Sequence, residues 1–236
     1  MNTKAHDKLM AARVALLLDH YFFGRLAMHL KFVEEERTST LAVDGKHIFY
    51  NPDFILGLSA DLTKSAVVHE IMHCVCEHFL RRNGRDRRDW NRAGDYVINL
   101  VLQDAGFRIG DKWLLDAAFK DMTTEHVYDI IHDKNHDKDK DQEAMDEVRD
   151  GAVSQGDAVQ QSMEWKIAVT QAAQMAKEHG KLPGSLQRFL GEIEEPQVPW
   201  REVLQRFVTE VSKNDYSWAR PNRKFCLLYT SPSPRD

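Results

Sequence analysis

The chain has 236 residues, 42% hydrophobic and 29% charged, which is the composition of a folded protein with one large or two small domains. Its net charge of −5 argues against a general nucleic-acid-binding surface, and it contains no run of about 18 apolar residues that would predict a membrane span. Three cysteines, an odd number, do not suit a disulfide framework, so we expect reduced thiols and a cytoplasmic protein.

The first part of the chain predicts helices followed by a small sheet. Apolar residues recur at helical spacing over residues 5–35, which predicts one helix or two. Two β-prone runs, 40–43 and 47–50, lie on either side of Asp44 and Gly45, a strong hairpin signal. With the helices that follow, the predicted fold class is mainly α, or α+β, with a hairpin or small sheet before the HEIMH helix.

Two helices joined by a short turn are predicted in the middle of the chain. The first spans 60–82, with Ser59 or Asp61 as its N-cap, and the second spans 88–105. The NGRD sequence at 83–86 predicts a turn that lets the second helix pack back, antiparallel, against the first. A shorter helix is predicted over 123–132.

The predicted domain organisation has four parts. Residues 1–131 form a core, and 132–160 are so highly charged that we expect a solvated linker or insertion. Residues 161–225 are interpreted as a helical continuation. Residues 226–236 resemble the translation of a transposase-type sequencing adapter, so we expect a sequencing scar and a natural chain that continues past Phe225. The further helices are predicted over 162–179, 185–192 and 199–213.

An HExxH sequence lies on the first of the two central helices. Residues four apart on a helix face the same side, so His69 and His73 can bind one Zn²⁺ through their imidazoles. Glu70 is placed to take a proton from a zinc-bound water. The flanking residues are apolar, and buried ionisable side chains must be paired or ligated to offset the loss of hydration. The pattern therefore predicts a catalytic zinc site.

Asp95 is the favoured third zinc ligand, because a catalytic zinc takes three protein ligands and keeps one position open. It lies on the second helix among apolar neighbours, where an unpaired carboxylate would be costly. Asn91 and Asn99, four residues to either side, share its face and are predicted to hydrogen-bond it. The alternative is a surface aspartate that pairs with Arg88 or Arg92.

His78 and Cys76 stay open as third ligands. His78 is about 180° around the helix from His69, so it could bind the same ion only if the helix broke first, and no glycine or proline lies there. Cys76 differs from His69 by only about 20° in direction, but it lies two turns further along the helix.

Two other features receive structural interpretations. The five arginines of residues 81–88 could form a nucleic-acid patch, but we interpret them as partners of the helix C-terminus and of nearby acids. His132 and His136 fall in the predicted linker, where we expect solvated side chains, and Trp165 is predicted to anchor a core.

Four segments of the chain resemble one family: YNPDFILGLS, HEIMHCVCEHFLRRNGRDRRDWNRAGDYVIN, LLDAAFKDMTTEHVYDII and YSWARPNRKF. Together they look like the bacterial metallopeptidase domain that precedes a von Willebrand factor A-like (VWA-like) domain. The resemblance covers nearly all of residues 1–225, and its specific part runs from H-E-x-x-H to W-N-x-A-x-D-x-x-x-N. Family members usually carry small or aliphatic residues in place of Cys76 and Glu77, which counts against Cys76 as a ligand.

The resemblance implies a zincin-like, mainly helical domain whose site is carried by His69, Glu70 and His73. It also implies a VWA-like domain after RPNRKF and pairing with a MoxR-type AAA+ ATPase. The resulting hypothesis is a zinc metallopeptidase that cleaves a protein or peptide substrate, with Zn²⁺ on His69, His73 and Asp95 and with Glu70 as the base. The alternative is a metal-stabilised scaffold that acts with the VWA-like domain and the ATPase without catalysis.

Overall fold

Helices make up most of the chain that the computed structural model describes, which comprises residues 2–135, 147–148 and 155–178. A small sheet accompanies them, so the predicted mainly α architecture is confirmed. In these ranges the helices are α1 (Thr3–Asp19), α2 (Tyr21–Ala27), α3 (Pro52–Gly57), α4 (Ala60–Val75), α5 (His78–Arg81), α6 (Arg87–Asp104), α7 (Thr124–Asn135) and α8 (Gln155–Glu178). The strands are β1 (Lys31–Glu34), β2 (Leu41–Val43), β3 (His47–Tyr50) and β4 (Glu147–Val148).

The sheet has the strand order β1-β3-β2-β4. Strands β2 and β3 form the predicted antiparallel hairpin, whose turn has Gly45 at a φ of +84° and Asp44 Oδ1 accepting the His47 amide. Strand β1 pairs parallel with β3, which corrects the prediction of helix up to residue 35. The period of so short a segment does not separate strand from helix, and backbone pairing with β3 decides its conformation.

Helix α4 lies at the centre of the described chain. It packs against α1, α2, α6, α8 and β2, and nearly all of its residues from Ser65 onward are buried on every side. Ser59 is its N-cap, with Oγ accepting the Leu62 amide, so one of the two predicted caps is correct. The HExxH sequence is therefore placed in the interior rather than on a surface helix.

Helix α4 ends seven residues before the predicted boundary. Glu77 adopts a left-handed conformation with φ 54° and ψ 32°, and α5 begins at the next residue. This conformation costs a residue other than glycine about 1–2 kcal/mol. The Glu77 carboxylate accepts a hydrogen bond from Ser162 and lies 3.7 Å from Lys166 Nζ, so contacts with α8 offset that cost.

Helix α6 separates two hydrophobic cores. It begins with Asp86 as N-cap after a turn in which Asn83 and Gly84 both have positive φ, so the predicted turn is confirmed. The larger core is formed by the N-terminal helices, the sheet, α4 and α8. The smaller core consists of Trp90, Ala93, Val97, Leu100, Phe119, Val127, Tyr128 and Ile131.

Helix α8 is hydrogen-bonded to the turn of the β2–β3 hairpin. Gln161 donates to the Asp44 carbonyl at 2.9 Å, and the buried indole of Trp165 donates to the Gly45 carbonyl at 2.8 Å, so Trp165 is the predicted core anchor. The helix begins at Gln155, earlier than predicted.

Some predictions lie outside the described residues: the helices over 185–192 and 199–213, His136 and residues 226–236. The domain boundaries stay predictions. No helix within the described ranges combines the length and apolarity needed to cross a bilayer.

Candidate metal centre

Three buried side chains meet between α4 and α6. The Nε2 atoms of His69 and His73 are 3.0 Å apart, and Asp95 Oδ1 lies 3.4 Å from the first and 3.3 Å from the second. None of the three side chains is exposed. Among the described residues, these three form the group of possible ligand atoms that lie within 4.8 Å of one another. We call them the donor group.

The size of the donor group suits a tetrahedral zinc ion. Zinc–nitrogen distances near 2.0–2.1 Å place the ligands of a tetrahedron about 3.3 Å apart. The three separations of 3.0, 3.4 and 3.3 Å are close to that value. The two imidazoles and the carboxylate thus form one face of a tetrahedron, and this arrangement fits a zinc ion.

Asn99 orients the first imidazole. Its Oδ1 lies 3.0 Å from His69 Nδ1, and its Nδ2 donates to the Leu114 carbonyl at 2.8 Å. Because the carbonyl can only accept, the amide orientation is fixed and its oxygen faces the ring. His69 therefore carries its hydrogen on Nδ1, which leaves the lone pair of Nε2 for the donor group.

Asn99 thus corrects the sequence prediction, which made it a partner of Asp95. The other predicted partner, Asn91, is buried, and its Oδ1 accepts no hydrogen bond from the described residues. The alternative of a surface aspartate is also wrong, because Asp95 is fully buried while Arg92 lies near Asp89.

His78 lies behind His73 rather than in the donor group. Its Nδ1 is 2.9 Å from His73 Nδ1, and its Nε2 is 2.9 Å from Thr124 Oγ1. The left-handed Glu77 breaks the helix without glycine or proline, which the sequence argument did not foresee. Burial, followed by the nearby His73 and Arg81, lowers the pKa of His78 well below its ordinary value, so the ring is neutral at neutral pH.

Glu70 follows His69 directly on α4, and its side chain is fully buried.

Cys76 is a buried free thiol outside the donor group, and burial raises its pKa to about 12. Cys74 is likewise free and buried. The Tyr96 ring packs against Phe119 in the smaller core.

A family model described as "Putative metallopeptidase domain" matches residues 4–232. The chain belongs to this family. A protein of Thermotoga maritima described only as uncharacterized is 21% identical over 262 aligned residues, which cover 94% of this chain. The alignment spans 64% of that relative's length, so the chain corresponds to less than two thirds of it. No solved structure matches the chain.

The donor group of this metallopeptidase-domain chain is covered by the segment after α6. The Trp113 ring packs edge-on against the His69 ring with centroids 5.8 Å apart, and Asn99 holds the Leu114 carbonyl. Trp113 also lines a cavity of about 420 Å³ together with Phe107, Ile109 and Leu115. The indole therefore stands between this cavity and the histidine. Trp113 could not be recognised from the sequence, since no motif marks it.

Gly94 permits the close approach of α6 to the histidines in this family member. A Cβ at this position would lie 2.8 Å from His78 Nδ1 and 3.2 Å from His73 Cε1. The glycine beside Asp95 in the W-N-x-A-x-D block thus has a steric role, which sequence reasoning missed because the His78 ring was expected on the opposite side of its helix.

The arginine-rich turn has the predicted structural role. Arg81 donates to the Cys76 carbonyl and pairs with Glu125, and Arg85 lies over the rings of Trp90 and Tyr128. His132 corrects its prediction: it is on α7 rather than in a linker, and its Nδ1 lies 2.8 Å from Asp89 Oδ2.

Proposed function

We propose that this chain is a zinc-dependent metallopeptidase domain, zincin-like in its HExxH helix, that hydrolyses peptide bonds. The observation that carries the proposal is the donor group of His69, His73 and Asp95, with separations near those of a tetrahedral zinc site. Two imidazoles favour zinc over magnesium or calcium, which prefer sites made of oxygen ligands. The family match supports the same conclusion.

Glu70 carries out the proton transfers of the proposed reaction. When bound, zinc supplies Lewis-acid activation of a carbonyl and of water. Glu70 adjoins a ligand on the same helix, so it takes a proton from the attacking water and delivers it to the leaving amine. The buried, largely apolar surroundings strengthen each charge interaction in the site.

The decisive experiment separates metal binding from catalysis. Zinc per chain is measured by mass spectrometry, and cleavage of casein and of a peptide library is followed for the wild type, Glu70→Gln and the exposed control Glu164→Gln. We expect equal zinc in all three proteins and a loss of at least about 100-fold in cleavage for Glu70→Gln alone. Wild-type protein that contains no zinc, or Glu70→Gln that cleaves as well as the wild type, would contradict the proposal.

One observation favours a second candidate, a metal-stabilised scaffold. His69, Glu70, His73 and Asp95 are all fully buried, and Trp113 covers the His69 side. A substrate reaches this site only if the covering segment moves, whereas a scaffold needs no access. In the cobalt-substituted protein, acetohydroxamate should change the visible spectrum of an enzyme and leave that of a closed scaffold unchanged.

The proposed partners follow from the resemblance. They are a protein or peptide substrate, a VWA-like domain and a MoxR-type AAA+ ATPase in the cytoplasm. A purified ATPase of this type, mixed with the chain extended by its VWA-like domain, should co-elute with it and show altered ATP hydrolysis. Unchanged elution and ATPase rates would contradict this partnership.

A further inference from the structure

His78 is held in place from three directions. The left-handed Glu77 turns the chain so that the next residue faces His73, and the His78 side chain is 1% exposed. The Trp90 indole packs edge-on against its ring and donates to its backbone carbonyl at 3.0 Å. Gly94 leaves the space that the ring occupies. The position of the His78 ring is therefore determined both by the turn at Glu77 and by residues of α6.

His73, His78 and Thr124 form a hydrogen-bond chain. The two Nδ1 atoms of the histidines are 2.9 Å apart, and His78 Nε2 is 2.9 Å from Thr124 Oγ1. Two neutral rings that face each other in this way can share only one hydrogen, so one nitrogen donates and the other accepts. The position of that hydrogen decides which nitrogen of His73 keeps its lone pair.

Only one of the two arrangements lets His73 bind a metal through Nε2. In that arrangement His73 carries its hydrogen on Nδ1 and donates to His78, and His78 carries its own on Nε2 and donates to Thr124. In the other arrangement His73 is protonated on Nε2, the atom that lies 3.0 Å from His69 Nε2, and cannot bind a cation there. The Thr124 hydroxyl can accept from His78 Nε2 in the first arrangement and donate to it in the second, so it supports His78 in either one.

We propose that His78, held by Thr124, is a positioning residue of the metal centre, which accepts the Nδ1 hydrogen of His73 and orients that ring so that Nε2 faces the ion. The inference rests on the metal site of the proposed function but not on peptide hydrolysis. Asn99 does the same for His69, so each imidazole of the donor group is oriented at its second nitrogen. His78 is not itself a ligand, since both of its ring nitrogens lie against other residues.

The experiment compares three variants with one control. His78→Leu removes both ring nitrogens, Thr124→Val removes only the hydroxyl, and His78→Asn keeps an acceptor close to the Nδ1 position. The control His126→Leu alters an exposed histidine of α7. Zinc affinity is measured by competition with a chelating dye. Long-range ¹H–¹⁵N spectra of histidine in the zinc-bound protein report which nitrogen of His73 carries the hydrogen and whether that hydrogen is in a hydrogen bond.

With zinc bound, we expect His73 in the wild type to carry its hydrogen on Nδ1 with the low-field proton shift of a hydrogen bond to His78, and to lose that shift in His78→Leu. Zinc affinity should fall about 10- to 100-fold in His78→Leu and less in Thr124→Val. It should largely recover in His78→Asn, which a purely packing role would not produce, and stay unchanged in His126→Leu.

Three results would overturn the inference. Unchanged zinc affinity and an unchanged Nδ1 proton shift in His78→Leu would remove its basis, as would a zinc-bound wild type in which His73 carries its hydrogen on Nε2. Complete loss of zinc in His78→Leu without recovery in His78→Asn would make His78 a ligand. If His78→Leu does not fold, an unchanged proton shift and zinc affinity in Thr124→Val decide against the inference. Wild-type protein without zinc contradicts the proposed metal centre instead, so the two failures are distinguishable.

Discussion

The two imidazoles of the donor group are held at their Nδ1 atoms by residues of different chemistry. His69 faces an amide oxygen that can only accept, so its tautomer is determined by one contact. His73 faces a second imidazole, whose Nε2 lies 2.9 Å from the Thr124 hydroxyl, a group that can donate or accept. Asn99 also holds the segment after α6 that covers the donor group, because its Nδ2 donates a hydrogen bond to the Leu114 carbonyl. The Asn99 side chain thus contacts both a proposed metal ligand and the segment that covers the site.

Substitution of Asn99 should separate these two roles. In Asn99→Leu both bonds are lost, so zinc affinity should fall about 10- to 100-fold. In Asn99→Asp an acceptor still faces His69, but the donor to Leu114 is gone. We therefore expect near wild-type zinc affinity together with faster hydrogen exchange in residues 106–116. Equal loss of affinity in both variants would show that Asn99 acts only through packing.

The sequence anticipated the donor group better than its surroundings. His69 and His73 share a helix face by spacing alone, and the return helix brings Asp95 to them. The hydrogen-bond partners could not be predicted in this way, because the argument for Asn91 and Asn99 considered only the helix that they share with Asp95. The partner of Asn99 belongs to α4, and helix periodicity does not tell which residue of a neighbouring helix lies opposite.

The break between α4 and α5 and the glycine of α6 act together. The break brings the His78 ring towards α6, and Gly94 leaves the space into which that ring fits. The break could not be read from the sequence, because a glutamate carries the left-handed conformation and its stabilising partners come from α8. Strand β1 was missed for a similar reason, since its conformation depends on a strand later in the chain.

Gly94→Ala tests this fit. Alanine is favoured over glycine within a helix by about 1 kcal/mol. Here its Cβ would lie 2.8 Å from His78 Nδ1, and overpacking of a core costs about 1–3 kcal/mol. The ring is held by two hydrogen bonds and cannot easily move. We expect a lower urea midpoint and weaker zinc binding.

Gly57→Ala is the matched control, since a Cβ there meets nothing within 4 Å. It should leave zinc affinity unchanged and should not lower the urea midpoint, since alanine is favoured over glycine in a helix. A Gly94→Ala protein as stable as this control, with wild-type zinc affinity, would show that α6 has room to shift.

The contact between α7 and α6 should make stability depend on pH. The hydrogen bond to Asp89 raises the pKa of His132, so the folded state favours its protonated form. A raised pKa contributes stability that is fully present below the unfolded value near 6.5 and is lost as the pH rises through the folded value. His132→Gln should therefore lower the urea midpoint at pH 5.5 and have little effect at pH 9. The exposed His126→Gln is the control, and an effect of His132→Gln that is equal at both pH values would contradict the assignment.

At the scale of the whole molecule, the donor group joins helix α4 to helix α6, which contributes side chains to both cores. Helix α4 is part of the larger core, and α6 also packs into the smaller one with α7. A metal ion bound to His69, His73 and Asp95 would cross-link the two helices at their buried contact. The unfolded chain holds no such preformed site, so binding energy adds to folding stability.

Metal removal should therefore destabilise the whole described fold. A ligand present at 100 times its dissociation constant stabilises the native state by about 2.7 kcal/mol. In a protein of this size that corresponds to a fall in Tm of about 5–10 °C when a chelator removes the zinc. Calorimetry with and without EDTA measures the shift. Asp95→Ala should abolish the EDTA effect, whereas the control Asp104→Ala, which alters an exposed carboxylate of the same helix, should retain it. An EDTA effect that persists in Asp95→Ala would place the stabilising ion elsewhere in the chain.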